Sequence, residues 1–273
     1  MIIKKLYITF SGNAWNPTTQ QIVERAPRYG VDEVRVYDDA WLMKTEFYKL
    51  PANRWIWEHR GIGNTGKYPR GFGWFCWKPF VILHALEHFC EPGDVVLYTD
   101  ADTYPIADLS ILYKHCIKLG GAMVFAASGH VNRWWVKHDT YRIVGGLDGV
   151  AVNEWFRRYA NADHGVGRFM LFQKGPWQVQ QFLMEWLTFC LHRLATTFEK
   201  SVLGEELPDF RESRSEQSIF SLLCAKFEWK LHREACQFGE GHQEDRDLYP
   251  QLFYQDGLRV EYNPEAGSKY RNV

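Results

Sequence analysis

Several features that would settle a protein's class early are missing from this chain. No window approaches the roughly 18 to 20 continuous apolar residues that a membrane-spanning helix requires, and the opening MIIKKLYITF lacks the long apolar core of a signal peptide. The expected location is therefore the cytoplasm. Neither sign of charge is in surplus: 32 Lys and Arg stand against 33 Asp and Glu, a formal net charge of −1, with no block of like charges. That leaves no electrostatic footprint for nucleic acid or for an anionic membrane surface. No Cys-x-x-Cys pair occurs. The six cysteines (Cys76, Cys90, Cys116, Cys190, Cys224, Cys236) are scattered, mostly within apolar segments, which argues against a zinc ribbon or a disulfide framework and predicts reduced core thiols. Internal repeats, low-complexity tracts and clear linkers are also missing.

What is present is bulk and aromatic surface. With 273 residues, 46% of them apolar, the chain can bury one substantial core and is expected to form a single large α/β domain. Aromatic residues make up 16%, twelve of them tryptophan. Some could serve as sugar-binding faces, but core packing accounts for most of them.

The chain opens as strand, turn, helix, strand. Lys5 to Phe10 is apolar and extended, Ser11-Gly12-Asn13 is turn chemistry, Pro17 to Tyr29 has helical pattern and Val31 to Tyr37 alternates as a strand. In such a βαβ unit the loop after the first strand and the acids after the second, Asp38 and Asp39, lie at one sheet edge. Either aspartate could instead cap a helix starting near Ala40.

A Gly-rich connection from Arg60 to Gly73 leads to GFGWFCWKPFVILHALEHF, whose helix should begin close to Lys78 because Pro79 is tolerated only in a first turn. Further on, a helix is expected over Ala107 to Leu119, a strand over Ala122 to Ala127, and a helix over Trp134 to Gly146 with Lys137, His138 and Asp139 exposed. Gly165-Val166-Gly167 should open a strand whose backbone is closely approached. Trp177 to Thr196 reads as one long helix, and SEQSIFSLLCAKF as another with Ser215 as its N-cap and Glu216 and Gln217 in its first turn.

The chemistry concentrates in Val95-Val96-Leu97-Tyr98-Thr99-Asp100-Ala101-Asp102. An apolar run bounded upstream by Pro92-Gly93 has the content of a central parallel strand, and ligands gather outside the carboxyl ends of such strands. If the chain stays extended, alternation points Asp100 and Asp102 to the same side, as two hard oxygen donors suited to Mg²⁺ or Mn²⁺. Taken alone, the pair could equally be solvated acids at a strand end.

The segment DVVLYTDADTYP followed by ADLSILYK resembles the signature of nucleotide-sugar glycosyltransferases of the GT-A fold, and glycogenin-like transferases most closely. The resemblance extends to the Trp77-Lys78-Pro79 segment, which is similar to one preceding the acidic motif in polysaccharide-assembling transferases, to the later Gly-strand, and to Glu216-Gln217, where the family has Asp-Gln.

It implies a Rossmann-like α/β fold with a mixed, mostly parallel central sheet flanked by helices. Residues 1–127 would form a nucleotide-sugar-binding half and residues 128–273 an acceptor-side half. It implies a hexosyl- or pentosyltransferase that uses Mn²⁺ or Mg²⁺, a UDP- or GDP-sugar donor and a glycan or lipid-linked saccharide acceptor, with retention favoured. By the same resemblance Asp100, Ala101 and Asp102 form the metal motif, and His242 in the tail is a third metal ligand. Lys78, and more weakly Arg70, contact the diphosphate; Thr9, Ser11 and Asp38 contact the nucleoside; Glu216, Asp163 and Lys78 are the catalytic candidates.

Two rival functions share these features. A nucleotidyltransferase also combines a strand-borne acid with a divalent ion, but its basic Gly-rich phosphate loop has no counterpart in Ser11 to Asn16, which holds no Lys or Arg. A non-catalytic carbohydrate-binding protein on the same fold would use the aromatics alone.

Overall fold

The structure is a computed structural model that describes residues 3–12, 17–59, 71–146, 158–239, 245 and 248–256. The expected βαβ opening is present: β1 (Lys5–Phe10), a helix over Pro17–Arg25 continuing as a 3₁₀ turn to Tyr29, and β2 (Glu33–Tyr37). The acidic strand β3 (Val95–Asp100) lies parallel to β1, which lies parallel to β2. Beyond β3 come β7 (Phe169–Gln173), β5 (Ala122–Val131) and β6 (Asp163–Gly165), and the short β8 (Leu231–His232) pairs with β5.

β7 runs antiparallel to both β3 and β5. Among the described residues, five of the seven strands therefore point one way, and strands from both halves of the chain interleave in one sheet. Separately, β4 (Thr103–Pro105) and β9 (Phe253–Gln255) make an antiparallel pair.

Side-chain alternation along the strands divides the core in two. Leu6, Ile8, Phe10, Val96, Tyr98, Met170 and Phe172 pack against the Trp77–Phe89, Trp177–Cys190 and Glu216–Lys226 helices. Tyr7, Val95, Leu97, Phe169 and Leu171 pack on the opposite face with Ile22, Leu112, Tyr113 and Cys116. Both faces of the central strands are thus buried, which explains their near-continuous apolar sequence. All six cysteines are free and buried, as expected. Among the described residues no helix is long and apolar enough to cross a membrane.

Several expectations need correction. The helix expected over Trp177 to Thr196 breaks, because His192 takes up an extended backbone, and it resumes as Arg193–Thr196. The Trp134 to Gly146 stretch is two helices, Asn132–Trp135 and His138–Gly146, separated by extended Val136. Lys137 and Asp139 are buried there, not exposed. The Asp139 carboxylate accepts from the backbone N–H groups of Val202 and Leu203 at 2.8–3.1 Å, and the Lys137 ammonium donates to the Glu199 carbonyl at 3.0 Å. Ser215 stands at the N-cap position but its side chain makes no capping bond, and its φ is +51°.

Trp186 is fully buried among aromatic rings and donates its indole N–H to the Glu216 carbonyl at 3.0 Å. Trp186→Ala is expected to lower unfolding free energy by about 3–5 kcal/mol, read as a shift of the urea midpoint. Met184→Ala, at an exposed position of the same helix, should stay within about 0.5 kcal/mol.

Candidate active site

Three segments far apart in the chain meet at the carboxyl end of β3. Lys78 is the second residue of the Trp77–Phe89 helix, Asp100 ends β3, and Glu216 opens the Glu216–Lys226 helix. The Lys78 ammonium lies 3.1 Å from Asp100 Oδ1 and 3.1 Å from Glu216 Oε1, and it donates to the Gly167 carbonyl at 3.0 Å. These contacts use all three of its donors. Lys78 is 3% exposed and Glu216 2%. Burial works against the charge on Lys78, and the two carboxylates more than offset it, so its pKa is held above the ordinary lysine value.

Glu216 shows the opposite balance. Burial raises its pKa to about 7 in spite of the lysine beside it. Its second oxygen, Oε2, is buried without a hydrogen-bond partner. A buried carboxyl with one free oxygen and a pKa near neutrality is suited to giving or taking a proton. Asp100 is the solvent-facing member of the trio, with a third of its side chain exposed, and the Tyr98 hydroxyl donates to its Oδ1 at 2.7 Å.

The local backbone is shaped to allow this meeting. A Cβ on Gly167 would lie 3.4 Å from Glu216 Oε1, and one on Gly165 would lie 2.9 Å from the Phe220 ring. The close approach expected of these glycines is present, but they do not open one strand: Gly165 ends β6 and Gly167 lies in the bend between β6 and β7. On the other flank Gly71, Gly73, Trp74 and Phe75 all have positive φ, the last three in succession. For the two bulky aromatics this costs roughly 1–2 kcal/mol each. A Cβ on Gly73 would also lie 2.8 Å from the Trp57 ring. The turn places the Phe75 ring 4.8 Å from the Lys78 ammonium.

Phe75, Lys78, Asp100 and Glu216 line a cleft of about 650 Å³ together with Lys137 and Arg214. That volume suits a ligand of cofactor or substrate size.

Asp102 is placed differently from Asp100. The strand ends at Asp100 and residues 101 and 102 turn, so the alternation expected to aim both acids the same way does not extend to Asp102. Its carboxylate accepts from the Thr103 hydroxyl at 3.1 Å and from Gln255 Nε2 at 3.0 Å, partners supplied by the β4–β9 pair. Burial first, and then the charge of Asp100, raise its pKa. The two carboxylates therefore feel each other while holding different partners.

Among the described residues, no group of three or more His, Cys, Asp or Glu is arranged to hold a metal. A like-charged carboxylate pair at a strand end nonetheless fits a cation that is also held by phosphate oxygens, since Mg²⁺ commonly takes only one or two protein carboxylates.

The other candidates divide clearly. Thr9 is buried in β1 with its hydroxyl unpartnered, and buried Ser11 accepts from Thr19 Oγ1 at 3.0 Å. Asp38 caps the short helix after it, its Oδ1 accepting from Trp41 N–H at 2.7 Å. Ala101 is half-buried in the turn. Asp163 is exposed at the start of edge strand β6. None of these, nor Asp102, lines the cleft. Arg70 and His242 lie outside the described residues.

Sequence reasoning missed Lys137 and Arg168. Arg168 is half-buried, with a raised pKa: burial opposes its charge and Glu234, Asp100 and Asp102 favour it. It pairs with Glu234 at 3.8 Å and donates to the Gln255 side chain that also holds Asp102. Its place directly after Gly165-Val166-Gly167 was the available signal. For Lys137 it was the apolar lead-in Trp134-Trp135-Val136.

No family model and no curated protein sequence matches the chain. Solved structures give fold-level likenesses. Mouse xyloside xylosyltransferase 1 in its apo form aligns with 96% of this chain and 100% of its own, at 12% identity and TM-score 0.47. The apo WbbM bifunctional glycosyltransferase aligns over 82% of this chain and 38% of its own, at 12% identity and TM-score 0.41. The apo glycosyltransferase GlyE of Streptococcus pneumoniae TIGR4 aligns over 96% and 56%, at 13% identity and TM-score 0.42. No residue role is transferred from them.

The raised Glu216 pKa has a definite sign in stability. Between the ordinary value of 4.5 and about 7 the folded chain holds a proton on Glu216 that the unfolded chain has lost, so stability falls as pH rises through that window. Urea unfolding of the wild type relative to Glu216→Gln should show this decline, levelling above pH 7. A flat difference across the window would remove Glu216 as a group titrating near neutrality.

Proposed function

We propose that the chain is a metal-dependent glycosyltransferase that moves a sugar from a UDP- or GDP-sugar to a hydroxyl of a glycan acceptor. The observation carrying this reading is the buried Lys78 held between Asp100, at the end of β3, and the buried Glu216, in the lining of a substrate-sized cleft. The resemblance of DVVLYTDADTYP to the acidic motif of nucleotide-sugar transferases supports this chemistry, and the geometry supplies parts that it needs.

Transfer breaks the bond between the sugar's anomeric carbon and the diphosphate oxygen and forms one to the acceptor oxygen, which gives up its proton. Negative charge grows on the departing diphosphate. A divalent ion held by Asp100 and Asp102 would neutralise part of that charge when bound. Lys78, itself buried, adds a fixed positive charge that acts most strongly where negative charge develops. Glu216 Oε2 is the free acceptor for a proton. If the acceptor attacks on the face the leaving group departs from, the diphosphate oxygen takes that proton and Glu216 instead sets the charge and position of Lys78. The resemblance favours this retaining course. Asp163 lies away from the cleft lining, which leaves Glu216 as the acid proposed for proton handling.

A thermal-shift panel of nucleotide sugars with and without Mn²⁺ tests the assignment, since a ligand bound only by the folded state raises Tm. One UDP- or GDP-sugar is expected to raise Tm only when Mn²⁺ is present, and Asp102→Asn should abolish the metal-dependent part. Asp102→Asn is also expected to lower the transfer rate about 10²-fold or more. Full metal-stimulated transfer by that variant would end this reading.

A further inference from the structure

Beside the cleft lies a smaller pocket of about 200 Å³, walled by the rings of Trp55, Trp74 and His59 and by the polar side chains of Arg193, Thr197 and Glu199. The two cavities share their partition. Phe198 lines the cleft and packs edge-on against Trp74 with ring centroids 4.8 Å apart, while Glu199 lines both. The Glu199 carbonyl receives the buried Lys137 ammonium at 3.0 Å, which pins the ridge from the cleft side. Across from it, the strained turn at Gly73-Trp74-Phe75 contributes Trp74 to the small pocket and Phe75 to the cleft. One turn and one ridge thus furnish neighbouring residues to both cavities.

The lining has the character that a pyranose ring recognises. Sugars present a C–H face that packs on aromatic rings and a rim of hydroxyls that both donate and accept. His59 stacks on Trp74 at 3.5 Å between centroids, fixing the indole plane. At the rim Arg193 pairs with Glu199 Oε1 at 2.6 Å, and Thr197 Oγ1 donates to Glu199 Oε2 at 3.3 Å. These groups hold both donors and acceptors in place for hydroxyls. Glu58 also lines the pocket, so two carboxylates face one guanidinium there. That balance lacks the cationic surplus an anionic group requires.

Resting on the transferase reading of the cleft, we propose that the small pocket is a second acceptor subsite. It takes a neutral sugar unit of an oligosaccharide whose reacting unit occupies the cleft. The acceptor is then a glycan of two or more sugars, not a monosaccharide or a simple alcohol.

Saturation-transfer NMR and intrinsic fluorescence titrations without donor test this with xylose, glucose, galactose and N-acetylglucosamine and their tetrasaccharides xylotetraose, cellotetraose, galactotetraose and chitotetraose. At least one tetrasaccharide is expected to bind about tenfold more tightly than its monomer, and Trp55→Ala should erase that preference. Arg193→Ala, at an exposed position, should weaken it as well and guards against misfolding of the tryptophan variant. Equal binding of monomers and tetramers throughout the panel would overturn the subsite, as would a preference that both variants retain. Failure of the transferase reading has a separate signature: no Tm response to any UDP- or GDP-sugar with Mn²⁺, alongside an intact tetrasaccharide preference that keeps the pocket as a glycan site.

Discussion

One ammonium shared by two carboxylates organises this molecule. Lys78, Asp100 and Glu216 come from segments separated by 22 and 116 residues, and the contacts between them bring the Trp77–Phe89 helix, β3 and the Glu216–Lys226 helix to one point. Burying a lone charge costs several kcal/mol, and a buried pair recovers that cost only when its geometry and remaining hydrogen bonds are good. Lys78 meets that condition, since each of its N–H groups has an acceptor. Glu216 does not, and its unpartnered oxygen is reflected in the raised pKa. Such an imbalance between partners is what the proposed proton-handling role of the cluster requires.

The surroundings hold this imbalance in place. Trp186 fixes the Glu216 backbone through its carbonyl, and β7 enters the sheet antiparallel directly after presenting the Gly167 carbonyl to Lys78. Positive φ values occur on both flanks, at Trp74 and Phe75 before Lys78 and at Ser215 before Glu216. Strained backbone persists only where its surroundings over-determine it. Here those surroundings are the packing of Trp57 against Gly73 on one flank and the Trp186 bond on the other.

The parts of this arrangement that could be read from the sequence were local ones. Val95 to Tyr98 announced a buried strand because burial on both faces removes alternation, and Gly165 and Gly167 announced close approach because any side chain there would meet Phe220 or Glu216. Glu216 was legible as a first-turn acid. The burial of Lys78 was not, because it depends on the Gly167 carbonyl, just ahead of β7 and nearly ninety residues away. The divergence of Asp102 from Asp100 was hidden for a similar reason: the chain leaves β3 in order to pair β4 with the distant β9. Asp139 looked like a surface acid until its bonds to Val202 and Leu203 were in view. In each case the deciding partner lay more than fifty residues off, beyond the reach of pattern and propensity.

On the proposed reading, charge at the strand end connects the metal, the pH response and the substrate. Among the described residues, Asp100, Asp102, Glu216 and Glu234 are paired with or charge-coupled to Lys78 and Arg168. With every carboxyl ionised the cluster would be two charges negative, and a diphosphate brought to it alone would be repelled. Two changes relieve this. Glu216 keeps a proton below about pH 7, and on the proposed reading a divalent cation would be held by Asp100 and Asp102, whose mutual repulsion contributes to the raised pKa of Asp102. On the proposed reading these changes are linked: a cation at the acid pair lowers the pKa of Glu216 by its own field. The donor's diphosphate carries the opposite charge and offsets that field, so the ionisation of Glu216 in the loaded site is set by the balance of the two.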